Sequence, residues 1–250
     1  MLIDKLCSEL IKYLPNNLKI VDSCVGIKYT CTVVSDGVRR SIGVAYTPLE
    51  DIVHAEEKVP EPRFDNMCSL ISSVDPIKKA LGLSIMNAIS QYLVNERTLI
   101  KERNLIKYLR ITPKDYVVIV GYMEPLVKEV RKFTKNLYVL ERNPAIRRDG
   151  LSDIAAWRVL PKATKVIISG AVLVNDTLDM ILELSENADE KVITGPTAQL
   201  LPYLFFNIGL TGVASLRITD VDKAARAVRL GGGARVLYKL GFKYIVFRSR

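Results

Sequence analysis

Two hydrophobic rhythms divide the chain. In the first third, Leu2, Ile3, Leu6, Cys7, Leu10 and Leu14 recur at helical spacing until Pro15-Asn16-Asn17 breaks the pattern. Three strand-like runs follow, at residues 19–25, 28–34 and 39–46. The middle run sets Tyr29, Cys31 and Val33 against Lys28, Thr30 and Thr32, which predicts a half-buried antiparallel strand. Val25-Gly26-Ile27 and Ser35-Asp36-Gly37 supply the turns, the latter a hairpin signal because glycine accepts a positive φ without steric cost. The predicted unit is one helix followed by a three-stranded meander. Residues 48–62 are polar and carry Glu50, Asp51, Glu56, Glu57 and Glu61, so a long loop is expected there. Beyond it, Ile77, Leu81, Ile85, Ala88, Ile89 and Tyr92 mark a long helix that Asp75 caps and Pro76 begins. Asn87 neighbours the apolar stripe of this helix, and spacing alone leaves it open to solvent or to a cleft. Residues 95–110 read as a charged helix or linker.

The second rhythm begins at Tyr116-Val-Val-Ile-Val-Gly121, a β-branched run ending in glycine, followed by a helical stretch and then by Leu137-Tyr-Val-Leu-Glu141. This is how a βαβ unit opens. Further apolar runs at residues 165–168, 191–193, 212–218 and 243–247 alternate with helical patterns at 177–188, 200–208 and 221–230. Such alternation predicts an α/β domain with a parallel sheet covered on both faces, because crossover helices must pack there. We therefore expect a small α+β cap over residues 1–97 and a Rossmann-like domain over residues 98–250.

Composition narrows the class. In 250 residues, 49% hydrophobic content is ample for proper cores, and no apolar run reaches the ~18 residues a membrane span needs. A soluble, cytoplasmic protein with no membrane partner is expected. The net charge of +9 invites a nucleic-acid reading, but Lys and Arg are interleaved with Asp and Glu along the whole chain and no aromatic platform accompanies them. Nucleic acid is therefore disfavoured as a partner, and the same Lys, Arg and Glu content suits a thermophile's surface. The four cysteines, Cys7, Cys24, Cys31 and Cys68, form no C-x-x-C pair, and His54 is the single histidine. A tetrahedral zinc site is not expected, and buried free thiols are favoured over a disulfide, although Cys24 and Cys31 would sit on facing strands.

In an open parallel sheet, ligands bind outside the carboxyl ends of the strands. Here those ends read Gly121-Tyr122, Glu141-Arg142-Asn143, Ser169-Gly170, Thr194-Gly195-Pro196 and Thr219-Asp220, all glycine, proline or polar, a pattern that turn chemistry alone explains in part. Glu141 lies twenty residues after Gly121, the offset of the acid that holds a ribose hydroxyl in dinucleotide sites. The glycine fingerprint is nevertheless missing, and Glu124 would stand where phosphate rests, so ordinary NAD binding is disfavoured. Asn175 or Asp176 is expected to cap the helix that follows, with Asn175 and Thr177 also able to meet an anion. Thr219-x-x-Asp222 reads as a capping box, and Gly231-Gly232-Gly233 as a helix end.

Seven ordered strings carry a more specific likeness: Val25-Gly-Ile-Lys-Tyr-Thr30, Gly43-Val-Ala-Tyr-Thr-Pro48, Leu81-Gly-Leu-Ser-Ile-Met-Asn-Ala88, Gly121-Tyr-Met-Glu-Pro-Leu126, Leu140-Glu-Arg-Asn-Pro144, Ile168-Ser-Gly-Ala-Val-Leu-Val-Asn-Asp-Thr177 and Gly195-Pro196. The chain resembles the putative heavy-metal chelation family, a prokaryotic family that joins an enolase-N-terminal-like cap to a Rossmann-like domain. The resemblance implies a pocket at the junction of the two parts, with Asn87, Gly121, Tyr122, Glu141, Asn143, Gly170, Asn175, Thr177, Gly195 and Pro196 as ligand-binding candidates. If the cap covers the crevice, Asn87 and Tyr46 should lie near Gly121, Glu141 and Asn175, with the acidic loop bordering the entrance. These candidates offer carboxylate, amide, hydroxyl and backbone oxygen, which suit hard ions better than a soft heavy metal. A small anionic ligand or a metal chelate is thus the expected partner, and an enzyme using Glu141 as acid or base is the alternative. No metal ligand set and no nucleophile with its base can be read from spacing, and a homo-oligomer is compatible with the sequence.

Overall fold

The computed structural model describes residues 1–52, 60–101 and 104–248. Helix α1 (Leu2–Leu10) leads into the antiparallel meander β1 (Lys19–Val25), β2 (Tyr29–Ser35) and β3 (Arg40–Tyr46). A short helix α2 (Met67–Ile71) precedes the long helix α3 (Pro76–Leu93), where Asp75 Oδ1 accepts the backbone amides of Ile77 and Lys78 at 2.7 and 3.0 Å. His54, Glu56 and Glu57 of the expected acidic loop lie outside the described residues.

The meander differs from the half-buried sheet expected of it. Thr30 and Thr32 are as fully buried as Cys31 and Val33. The reason is a second cover. Helix α3 packs on one face, where Thr32 Oγ1 and Ser84 Oγ share a hydrogen bond of 2.7 Å. Gly43 permits the approach, since a Cβ there would stand 2.1 Å from the Ala88 nitrogen. The opposite face, with Cys31, Val33, Ile42 and Val44, packs against Ala224, Ala225 and Val228 of helix α9 (Val221–Arg229), from the far end of the chain. Buried on all sides over residues 79–91, α3 has no solvent face for Asn87 to occupy.

The larger sheet holds six strands in the order β5-β4-β6-β7-β8-β9: β4 (Val117–Val120), β5 (Leu137–Leu140), β6 (Lys165–Ser169), β7 (Glu190–Thr194), β8 (Gly212–Ile218) and β9 (Gly241–Phe247). Alternate residues serve two cores. Val117, Ile119 and Ile167 face α4 (Leu105–Leu109) and α5 (Glu124–Val130), while Val118, Val166 and Ile168 join the core that contains α3, α7 (Leu178–Leu184) and α8 (Pro202–Asn207). Five strands are parallel, but β9 runs antiparallel to β8, pairing Ile218 with Gly241. Helices α9 and α10 (Ala234–Leu237) together return the chain to the end of the sheet where β8 stopped, so the last strand must run back. At the start of α9 it is the Asp220 carboxylate that accepts the Lys223 amide, at 3.2 Å; the hydroxyl of Thr219 turns instead to the Leu240 carbonyl. The Gly231-Gly232-Gly233 run follows α9 as expected, with Gly231 at φ +75°.

The cysteines correct the expectation of four free thiols. Cys7 and Cys68 form a disulfide that ties α1 to α2 across 61 positions, with Cα atoms 5.8 Å apart. Cys24 and Cys31 are free.

Candidate functional site

Strand β4 has β5 on one side and β6 on the other, so the chain changes direction across the sheet at β4. Crossover loops leave the carboxyl ends of β4 and β6 toward opposite flanks, and a crevice opens between them. It is filled here by a cavity of about 60 Å³ lined by Gly121, Arg142, Asp153, Ser169, Asn175 and Thr177, with an apolar floor that includes Val120, Leu140, Val172 and Ile181. That volume holds a group the size of a carboxylate or a few waters, well below the ~300–1,000 Å³ of pockets for drug-sized ligands.

Backbone geometry sets its walls. Gly121 ends β4 at φ +90°, and a Cβ there would stand 2.7 Å from the Cβ of Ser169. Only glycine lets the two strand ends converge. Glu141, at the end of β5, accepts the Tyr122 amide on Oε2 at 2.8 Å and the Asn143 amide on Oε1 at 2.9 Å. Its carboxylate therefore pins two loops. Arg147 reinforces this turn, donating to the carbonyls of Glu141 and Arg142 at 2.8 and 2.9 Å.

On the far wall, Asn175 Oδ1 accepts from the hydroxyl and the amide of Thr177 at 2.7 and 3.3 Å. Neither Asn175 nor Asp176 caps α7; Thr177 occupies the cap position, and its side chain accepts no amide of the helix. Asp176 adopts the left-handed conformation, φ +59°, which turns the chain before the helix can begin. Its carboxylate pairs instead with Lys79 of α3, a lysine whose pKa is lowered by burial against the opposing pull of Asp4.

The cap reaches the site through the segment after β3. Asp51 forms an ion pair with Arg142 in the cavity wall. Burial works against the charge of Arg142, but Asp51 outweighs it and the guanidinium pKa rises. Tyr46 donates to both oxygens of Glu50 at 3.1 and 3.0 Å, and its pKa is pushed up by burial first, then by Glu50 and by the nearby charge of Glu141.

Asn87, Gly195 and Pro196 belong to a different arrangement. The loop after β7 runs along the outer edge of β3, and side chains replace a fourth strand. Gln199 Oε1 accepts the Val44 amide at 2.8 Å, Asn87 Nδ2 donates to the carbonyls of Val44 and Thr197 at 2.8 and 2.9 Å, and Thr197 Oγ1 accepts the Tyr46 amide at 3.0 Å. Gln199 Nε2 continues to Leu216 O at 3.0 Å, and Gln91 Nε2 meets Gln199 O at 3.1 Å. Gly195, at φ +112°, begins this loop, and Gly170 lies against it, where a Cβ would meet the Ala198 nitrogen at 2.8 Å. The structure thus brings Gly121, Asn175 and Thr177 to the cavity, sets Tyr122, Glu141 and Asn143 behind it, and puts Asn87 in a seam between cap and sheet.

Sequence reasoning missed Arg142, Asp153 and Ser169 as lining residues, and Thr197, Gln199 and Gln91 as the seam. Arg142 and Ser169 stand at strand ends in the sequence reading but not among its ligand contacts, whereas Asp153 comes from a segment without a period. The two glutamines carry no signal beyond being polar within apolar surroundings.

The comparisons with known proteins agree with one another. Family descriptions reading putative heavy-metal chelation match residues 7–90 (DUF4213) and 104–247 (DUF364). An uncharacterized protein of Methanocaldococcus jannaschii is 34% identical over 233 residues, covering 91% of this chain and 90% of that one. A crystal structure from Pyrococcus horikoshii, a DUF364 protein of unknown function, superposes with a TM-score of 0.91 at 31% identity over 99% of this chain and all of the other. A Desulfitobacterium hafniense protein from the same family, also of unknown function, gives 0.81 at 21% identity over 98% of each chain and supports the fold. Among the described residues, no helix is long and apolar enough to cross a membrane.

Proposed function

This chain belongs to the DUF364 family, described as putative heavy-metal chelation, and on that premise we propose that it binds a small anionic ligand, alone or as its metal complex, in the crevice between β4 and β6. The observation that carries the reading is Arg142 in the cavity wall. A guanidinium has five donors, more than one ion pair with Asp51 consumes, and it matches a carboxylate in geometry and charge. A bare cation would meet it as a like charge, which Asp51 and Asp153 offset in part. Nor do the described residues hold any group of three His, Cys, Asp or Glu that could ligate a metal ion directly. A metal carried by an organic acid avoids both difficulties, and the oxygens of Asp153, Ser169, Asn175 and Thr177 suit a hard or hydrated ion.

In this reading Gly121, Asn175 and Thr177 touch the ligand, while Tyr46, Tyr122, Glu141, Asn143 and Gly170 form the supporting wall. Asn87, Gly195 and Pro196 hold a cap of residues 1–97 against a Rossmann-like domain of residues 98–250. An acid or base role for Glu141 draws less support, because both of its oxygens already accept backbone amides.

Native mass spectrometry with elemental analysis, on protein purified without chelators, tests the reading. A stoichiometric organic anion is expected, with or without metal. Citrate and nickel citrate should raise the thermal midpoint of stripped protein, and Arg142→Gln should abolish the rise. Stabilisation by nickel ion alone, undiminished in Arg142→Gln, would sink the proposal.

A further inference from the structure

Away from the crevice, on the face of the meander that α9 covers, Cys24 of β1 and Cys31 of β2 are register partners. Directly opposed residues of an antiparallel pair project to the same face, with Cβ atoms about 4.5–5.5 Å apart. Both thiols are free, although the chain forms a disulfide elsewhere. Cys31 is fully buried and Cys24 half-buried, so the pair has one way out, along the β1 side. Arg229, the last residue of α9, lies within electrostatic reach of both sulfurs and is itself ion-paired with Asp22. Asp22 acts on both sulfurs against Arg229, and Val33, Val44, Leu216 and Val228 share the apolar cluster around them.

We propose that Cys24 and Cys31 form a two-coordinate site for a soft monovalent d¹⁰ cation, copper(I) or silver(I). Thiolates are the ligands such ions prefer. Metal–thiolate bonds of about 2.3 Å, the length known for zinc, would place two sulfurs of a linear complex roughly 4.6 Å apart, a separation that directly opposed strand residues can supply. Among the described residues no cluster of three His, Cys, Asp or Glu is present, so the pair falls short of the three or four protein ligands that zinc takes. Each thiol loses its proton, two protons leave for each ion bound, and the bis-thiolate complex carries one negative charge, which the Arg229 guanidinium attracts and the Asp22 carboxylate opposes. This site is independent of the crevice between β4 and β6, and either can fail without the other.

Silver(I) titration of the intact chain, purified without reductant so that Cys7 and Cys68 stay paired, tests the proposal in chloride-free buffer. Calorimetry should find one ion bound per chain, and repeating it in buffers of different ionisation enthalpy should give two protons released. A thiolate-to-metal absorption should rise in the ultraviolet to the same endpoint. Cys24→Ala, at the half-buried position, should lose this step entirely while keeping the thermal midpoint of the parent, and Cys31→Ser should lose it too. The proposal is overturned if wild-type protein with two titratable thiols takes up no silver, or if Cys24→Ala binds as the parent does.

Discussion

Gln199 and Val44 stand 155 positions apart, yet the amide oxygen of Gln199 accepts the Val44 backbone N–H at 2.8 Å. An edge strand normally presents a row of unpaired amides and carbonyls to any neighbour. Here the outer edge of β3 is closed by Gln199, Asn87 and Thr197, and the same contacts fasten the cap to the sheet.

Gln199→Leu keeps the volume and removes the bonds. It strands the Val44 amide and the Leu216 carbonyl, each at a cost of about 1–3 kcal/mol for an unsatisfied buried group. Urea denaturation should show a loss within roughly 2–6 kcal/mol on that scale. A change under about 0.5 kcal/mol, the range of ordinary surface substitutions, would mean the seam is replaced by water without penalty.

Glu141→Gln should destabilise the ligand-free protein. A glutamine oxygen can accept one of the two amides, but its NH₂ then faces the other donor, from Tyr122 or Asn143. Hydrogen bonds to a charged group contribute about 1.5–3 kcal/mol, so a loss of that order is expected in chemical denaturation. An unchanged midpoint, together with lost ligand stabilisation, would return Glu141 to direct ligand contact.

Reducing the Cys7–Cys68 bond releases a loop of 61 positions. Chain-entropy arguments put its contribution at about 4 kcal/mol. Dithiothreitol should lower the thermal midpoint of the parent and leave that of a Cys7→Ser, Cys68→Ser double variant unmoved.

Alkaline pH should weaken the fold in a defined window. Burial pushes Cys31 from 9.0 to about 12, and Tyr238 and Tyr244 from 10.0 to about 12. Groups whose folded pKa is raised contribute stability that is complete below the unfolded values and lost as pH climbs through the folded ones. The urea midpoint should therefore hold steady up to about pH 9 and fall between 9 and 12. A midpoint constant to pH 11, with tyrosinate absorbance already developed, would show that these groups ionise in the folded state.

The strands were legible because their signal is local: Val117–Val120 or Lys165–Ser169 reads as a buried strand from four or five residues of sequence. Helices of a single turn were not, since α2, α6 (Ala156–Val159) and α10 are too short to display a period. The burial of Thr30 and Thr32 was invisible for another reason: two small hydroxyls look like a solvent face unless α3 and α9 are both known to cover the sheet. Of the cavity lining, Gly121 could be placed from a strand end and Asn175 and Thr177 from an expected helix start, whereas Asp153 and the Asp51–Arg142 pair depend on tertiary approach. The Cys7–Cys68 pairing likewise follows from the docking of α1 on α2, which no spacing encodes.

The covering of β2 and β3 by α9 has a temporal side. A ribosome releases Tyr46 about 175 residues before Val221, and at roughly 5–20 residues per second that interval lasts some 10–35 s. Throughout it, Cys31, Val33, Ile42 and Val44 have no partner for their apolar face. Chains cut short before residue 221 would leave that face uncovered by α9.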